Sequence, residues 1–316
     1  MSTSSTLEPA SPHAEPIAYR LAAGVINGAH RVVIVVGASA YVLNDFVDEE
    51  EVPAALPTIL AEWQRWRPIA AAAAQRVMAS PKAPAEVERW LAPVQPDKLL
   101  CIGTNYHDHL REMGTPNVPT VPYSFLKPAA TGIVATNSKV SLPARSTMVD
   151  WEAELAVVIG HTPEPNDPDI MASISGYIVL NDLSARDWII GKPEVGIDWV
   201  MMKGYDGFSP IGPYFTPSEF VANPQDLWIK CWVNGELKQD SNTSEMVFGV
   251  ETILRHASGI MTLNSGDVIA TGTPAGVGFG ARPQQFLKHG DTVSVEIQGL
   301  GRLETHMVDL QEGANR

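Results

Sequence analysis

Residues 150–160, DWEAELAVVIG, constrain this chain more than any other stretch. Read as a strand, they put Asp150, Glu152 and Glu154 on one side and Trp151, Ala153 and Leu155 on the other. The run LAVVIG that follows is apolar on both faces, so the acids stand at the edge of a core rather than on an open rim. Carboxylates crowded there repel one another and resist desolvation, and a cation must offset them. Beside Glu152 and Glu154, a third candidate ligand, Asp182, closes another apolar strand, GYIVLND. Acids from strand ends can converge on one point. An all-oxygen set selects a hard ion, Mg²⁺ or Mn²⁺, with Ca²⁺ possible. Three carboxylates leave about three octahedral positions for water or substrate, which makes an open, catalytic site. Asp150 is either a fourth ligand or a supporting acid behind the site.

The rest of the chain bounds what such a site can serve. With 316 residues, 45% of them hydrophobic, there is material for one large and one smaller domain. A formal net charge of -14 argues against nucleic acid and against anionic membranes as partners. An anionic substrate then needs local positive charge. Cys101 and Cys231 sit in apolar, strand-like runs and read as buried, reduced thiols. No apolar stretch is long enough to span a bilayer. Residues 1–16 are polar and Pro-rich and read as a disordered tail, not a signal peptide, so the expected location is cytoplasmic.

A Pro-rich segment, SPKAPAEVERWLAPVQPDK, marks an expected boundary near residues 90–97. It divides a small N-terminal domain, 17–95, from a catalytic domain, 96–316. In the first part, LPTILAEWQRWRPIAAAAAQRVMA reads as one or two helices interrupted at Pro68. Beyond residue 98, short β runs alternate with Gly and Pro turns, including an Asn234-Gly235 hairpin. The clearest helical signal is TSEMVFGVETILRHASGI. Strands that do not alternate with helices indicate a mostly β, α+β fold and not a doubly wound nucleotide-binding one. PAGVGFG, at 274–280, has the wrong spacing for a dinucleotide loop, and Pro283 blocks a helix after it.

Positive and proton-transferring groups accompany the acids. His109 and Glu112 are three apart on a helical turn, and a carboxylate beside a histidine prepares a general base. The TPNVPTVP segment after them reads as a mobile lid. Arg186 follows Asp182 closely. Lys203 lies in a run of Gly and aromatic residues, MKGYDGFSPIGP, and Lys127 ends the strand run FLKP. Thr271 and Thr273 in ATGTP offer hydroxyls to a carboxylate. Tyr106 precedes the histidines and is expected, with Lys127 and Thr273, at the substrate.

Taken together, GTNYHDHLREMG, FLKP, DWEAELAVVIG, GYIVLNDLSARD, KGYDGFSPIGP, VNGELKQDSNTSEMVF, LNSGDVIATGTPAGVG and HGDTVSVEIQGLG closely resemble the fumarylacetoacetate hydrolase family. They occur in the family's order from about residue 98 to 308. The resemblance implies a mixed β-sandwich roll, a small β-rich N-terminal domain, a homodimer and a divalent metal. It implies Glu152, Glu154 and Asp182 as metal ligands, His109 and Glu112 as a catalytic pair on a short lid helix, Lys203 and Thr273 as substrate-binding groups, and Arg186 as a stabiliser of negative charge. One departure stands out: where family members usually carry glutamine, this chain has Ile189. Loss of such a donor can cost ~10²–10³ in rate. The resemblance implies a small anionic 2-oxo or 1,3-dicarbonyl acid as substrate. The expected reaction is hydrolytic cleavage of a C–C bond in an acylpyruvate-like acid through a metal-bound enolate. Decarboxylation of oxaloacetate, isomerisation, and lyase or dehydratase chemistry on a 2-oxo sugar acid are the alternatives that use the same metal site. A non-catalytic acid-binding protein on the same fold is a further one.

Overall fold

The computed structural model describes residues 18–48, 51–115 and 117–309. The expected N-terminal tail lies outside the described residues. A six-stranded sheet forms the middle of the molecule, in the order Thr216–Pro217, Ile174–Asn181, Ala153–Ile159, Val268–Ala270, Leu99–Ile102 and Ser124–Lys127. Its neighbours are antiparallel except Val268–Ala270, which runs parallel to Leu99–Ile102. Every residue of Ala153–Ile159 and of Ile174–Asn181 is buried. The reason is that both faces of the sheet are covered.

One face packs on a five-stranded sheet and on the helix Val250–Ser258. Leu155, Val157, Tyr177, Val179 and Ile269 meet Ile229, Val293, Val295, Ile253 and Leu254 there. The residues between them, Ala156, Val158, Ile178, Leu180, Val268 and Ala270, turn to the other side and meet Leu21, Val32, Ile34, Trp63 and Trp66. A strand buried on both sides carries two apolar faces, so its sequence is a continuous hydrophobic run and not an alternating one.

The five-stranded sheet has the order Glu236–Asn242, Trp228–Val233, Thr292–Ile297, Gly301–Asp309 and Ser138–Leu142. Asn234 and Gly235 join its first hairpin with φ of 50–80°, the left-handed pair that a two-residue turn of this hand requires (φ 51 and 80). The N-terminal unit is a four-stranded sheet, Ser39–Val42, Ala29–Val36, Tyr19–Ile26 and Arg89–Leu91, with helices Leu56–Ala61 and Trp63–Ala79. The two helices part at Glu62, whose ψ is 36°, and not at Pro68, which sits inside the second helix. Pro68 removes one N–H bond, and burial of Trp63, Trp66, Ala70, Ala73, Ala74 and Val77 along the same helix outweighs it.

The segment 90–97 separates these two units in sequence, yet one apolar cluster runs across both. Leu21 and Phe215 also exchange a pair of backbone hydrogen bonds, 2.9 and 2.8 Å. Among the described residues no helix is long and apolar enough to cross a membrane. For the site, the decisive pairing is Ala153 opposite Asn181 in antiparallel register. It brings the start of one buried strand beside the end of the next, with the Asp182 amide donating to the Glu152 carbonyl at 2.9 Å.

Candidate active site

That register places Glu152, Glu154 and Asp182 together. One carboxylate oxygen from each lies within 4.8 Å of the others, and all three side chains are buried. Glu152 is held by two cations, Arg186 Nη2 at 2.5 Å and Lys203 Nζ at 2.7 Å. Asp182 accepts from Lys127 Nζ at 2.5 Å and also from Lys203. Glu154 accepts from the Gly272 amide at 2.8 Å and makes no ion pair among the described residues. Asp150 lies behind the set, fully buried. It accepts from Arg186 Nε at 2.9 Å and from the amides of Trp151, Gly278 and Phe279 at 2.9, 2.7 and 3.0 Å. Its oxygens are taken up by these donors, so it is the supporting acid of the two readings and not a fourth member of the triad.

Four buried carboxylates therefore face three cationic side chains, and the excess negative charge falls on Glu154. Burial, with the charges of Asp182 and Glu152 beside it, pushes the Glu154 carboxyl well above the usual range. Burial acts the same way on Glu152, but Lys203 and Arg186 overcome it and hold that group at about 2. Lys203 resists desolvation because Asp182 and Glu152 keep its ammonium charged, above its ordinary value. An all-carboxylate donor set with unmet negative charge fits a hard divalent cation.

Across from the triad, the short helix His107–Glu112 presents His109. His109 Nδ1 lies 3.0 Å from Glu112 Oε2. An ionised carboxylate only accepts, so Nδ1 carries the proton and Nε2 keeps a free lone pair. The other oxygen of Glu112 accepts from the Gly276 amide at 2.9 Å. The loop that supplies this amide is the PAGVGFG stretch, a set of tight turns. A Cβ on Gly278 would run into the Gln285 carbonyl and Asp150, and one on Gly280 into the Glu112 carboxyl. Glycine is required here for close approach.

A cavity of about 160 Å³ joins the two halves. The triad, Arg186, Lys203, His109 and Thr273 line it, with Thr104 and Thr115. Ile189, Ile197, Trp199, Met113, Met202 and Phe125 are among its apolar lining. Trp199 stacks on Phe125 at 4.3 Å between centroids, and its indole donates to the Tyr123 hydroxyl at 2.8 Å. The volume is below the roughly 300–1,000 Å³ of clefts that take drug-sized ligands. A larger groove of about 520 Å³, beside Asn234 and Lys288, is lined by none of these acid–base groups.

The Fumarylacetoacetate (FAA) hydrolase C-terminal family model matches residues 98–308, which carry every one of these groups. The chain belongs to the fumarylacetoacetate hydrolase family. It is 43% identical over 250 residues to a mitochondrial oxaloacetate tautomerase of Bos taurus, covering 78% of each chain. Its fold is similar to a fumarylacetoacetate hydrolase of Exiguobacterium antarcticum, with a TM-score of 0.77 and 32% identity over 92% of this chain and 100% of that one. It is also similar to a maleylpyruvate hydrolase of Sphingobium sp. SYK-6 solved with manganese(II) and pyruvate, with a TM-score of 0.70 and 28% identity over 92% and 99%. The tautomerases of Bos taurus and Xenopus laevis are named as mitochondrial proteins. That points away from the cytoplasmic location expected from the polar N-terminus, and the expectation is withdrawn.

Within this family fold, two expected substrate contacts lie elsewhere. Tyr106 is fully buried and lines no part of the cavity, because its ring is taken up by the apolar core. The Lys127 ammonium is enclosed by Asp182, the Leu183 carbonyl at 3.3 Å and the Phe208 carbonyl at 2.6 Å, and does not reach the cavity. Of the two threonines, Thr273 lines the cavity, whereas the Thr271 hydroxyl donates to the Leu155 carbonyl at 2.9 Å. Ile189 lines the cavity. Sequence reasoning missed Gln239, which is buried behind Thr273. The sequence carried no signal for it, since every other residue of its strand is exposed or half-buried.

Proposed function

We propose that this chain is a divalent-metal-dependent enzyme that moves a proton between the keto and enol forms of a small 2-oxo dicarboxylic acid such as oxaloacetate. The observation that carries this reading is Ile189 in the lining of the cavity. Ile189, Ile197 and Trp199 line it together with the acid–base and cationic groups, and Ile189 stands where the family usually carries a glutamine. C–C hydrolysis develops negative charge on a second carbonyl under attack by water, and that charge needs a donor. Ile189 supplies none. Tautomerisation develops charge only on the enolate, at the end where the cations are.

Glu152, Glu154 and Asp182 would hold Mg²⁺ or Mn²⁺, which supplies Lewis-acid polarisation of the 2-oxo carbonyl when bound. Thr273 donates to the substrate carboxylate. His109 Nε2 takes the proton from the carbon beside the carbonyl, and Glu112 keeps the ring oriented and stabilises its charged form. Lys203 and Arg186 offset the negative charge that develops on oxygen. Return of the proton to oxygen completes an isomerisation that consumes nothing. The 43%-identical tautomerase of Bos taurus supports this reading. The maleylpyruvate hydrolase neighbour favours the C–C hydrolase reading as the second choice.

The two are separated by adding enzyme with Mn²⁺ to freshly dissolved enol-oxaloacetate and to a panel of acylpyruvates. The proposal predicts faster decay of the enol absorbance with total oxaloacetate conserved. Unchanged enol decay together with pyruvate release from an acylpyruvate would replace it with the hydrolase. A homodimer is part of the proposal, and sedimentation of the full chain as a monomer would remove it.

A further inference from the structure

Gln239 lies outside the acid–base machinery, yet it is nearly the most buried polar side chain of its sheet. Its strand, Glu236–Asn242, is an edge strand with an exposed or half-buried residue at every other position. Cys231 pairs with Gln239 and Trp232 with Leu237, so Lys238 is an extra residue in the ladder. A bulge of this kind re-aims the side chain beside it. Here it turns a carboxamide inward, where unpaired amide atoms are costly.

All the bonding capacity aimed inward is used. The Ala153 amide can only donate, so the atom 2.9 Å from it is Oε1. The Pro274 carbonyl can only accept, so the atom 2.9 Å from it is Nε2. The orientation of the carboxamide is thereby fixed, and its remaining N–H donates to Thr273 Oγ1 at 2.8 Å. Thr273 is 5% exposed and lines the cavity. Its oxygen already accepts a bond, and the hydroxyl makes no donor bond among the described residues. The proton it has left can be given only to an acceptor in the cavity.

We infer that Gln239 is a positioning residue that commits Thr273 to donate, and so tunes the cavity to the carboxylate end of its substrate. The inference rests on the 2-oxo acid reading above. A hydrogen bond to a charged group is worth enough that its loss weakens binding by about 10- to 100-fold.

The test compares Gln239→Glu, Gln239→Met, Thr273→Val and the Gln239→Met/Thr273→Val pair in the Mn²⁺-loaded protein. Gln239→Met is neutral, so it separates loss of the donor from added charge, and Gln239→Glu serves if the methionine variant does not fold. Oxalate affinity by calorimetry and KM are read beside kcat, with Mn²⁺ affinity measured separately. The expected result is that both Gln239 variants weaken oxalate and raise KM by about 10-fold or more, change kcat less, and leave Mn²⁺ affinity within about threefold. The double variant should be no worse than Thr273→Val alone. Wild-type oxalate affinity in a folded Gln239 variant, multiplying effects in the double variant, or a collapse of Mn²⁺ affinity would each overturn it. Oxalate binding is read without turnover, so it tests the inference even if the wild-type protein leaves oxaloacetate unchanged, which would count against the proposed reaction instead.

Discussion

At the scale of single residues, Glu152 and Glu154 look alike in sequence and differ in what holds them. Glu152 is clamped by Arg186 and Lys203, and removing its charge takes one of two carboxylate partners from each of these buried cations, Asp150 and Asp182 remaining. Glu152→Gln should cost about 1.5–3 kcal/mol of stability, the scale of lost hydrogen bonds between charged groups, and urea denaturation of the metal-free protein measures it. Glu154 has no ion pair among the described residues, so Glu154→Gln should leave metal-free stability within about 1 kcal/mol while abolishing Mn²⁺ binding by calorimetry. Equal losses in the two variants would contradict the assignment of the unmet charge to Glu154. His109→Ala should lower kcat by about 10²–10⁴-fold and spare Mn²⁺ affinity. An unchanged kcat would take the histidine out of the mechanism.

At the scale of elements, the glycine loop 276–280 ties the dyad to the floor of the site. Gly276 holds Glu112, and Gly278 and Phe279 hold Asp150, which in turn holds Arg186. A methyl group on Gly280 would press on the Glu112 carboxyl. Gly280→Ala is therefore expected to lower kcat and to destabilise by about 1–3 kcal/mol, with Mn²⁺ affinity retained, as read by kinetics and calorimetry together. The convergence of Glu152, Glu154 and Asp182 was legible in sequence because strand ends and a period of two dictate it. So was the spacing of His109 and Glu112 on one helical turn. The directions of Tyr106 and Lys127 were not, since which side of the backbone a terminal residue leaves depends on partners distant in sequence: Asp182 and Phe208 enclose Lys127. Gln239 was illegible for the same reason, because a bulge sets its direction. Pro68 misled because a local breaker yields to a buried helix face.

At the scale of the whole molecule, the central sheet is the shared wall of two cores, and this explains why its strands carry no polar face. The N-terminal unit covers one side of it. A chain lacking residues 1–95 would expose Ala156, Val158, Ile178 and Leu180, and is expected to be insoluble or to lose cooperative unfolding, as solubility and calorimetric scans would show. A soluble fragment with an unchanged Tm would mean the catalytic region folds independently. The same layering buries the acids at the cavity and makes their charge a strong attractor for a cation. The most direct test of the account is the rate of enol-oxaloacetate decay with protein stripped of metal by a chelator and then titrated with Mn²⁺ or Mg²⁺. The account predicts a rate that falls to the enzyme-free background and returns as the ion is added. A rate that is unaffected by stripping would contradict it.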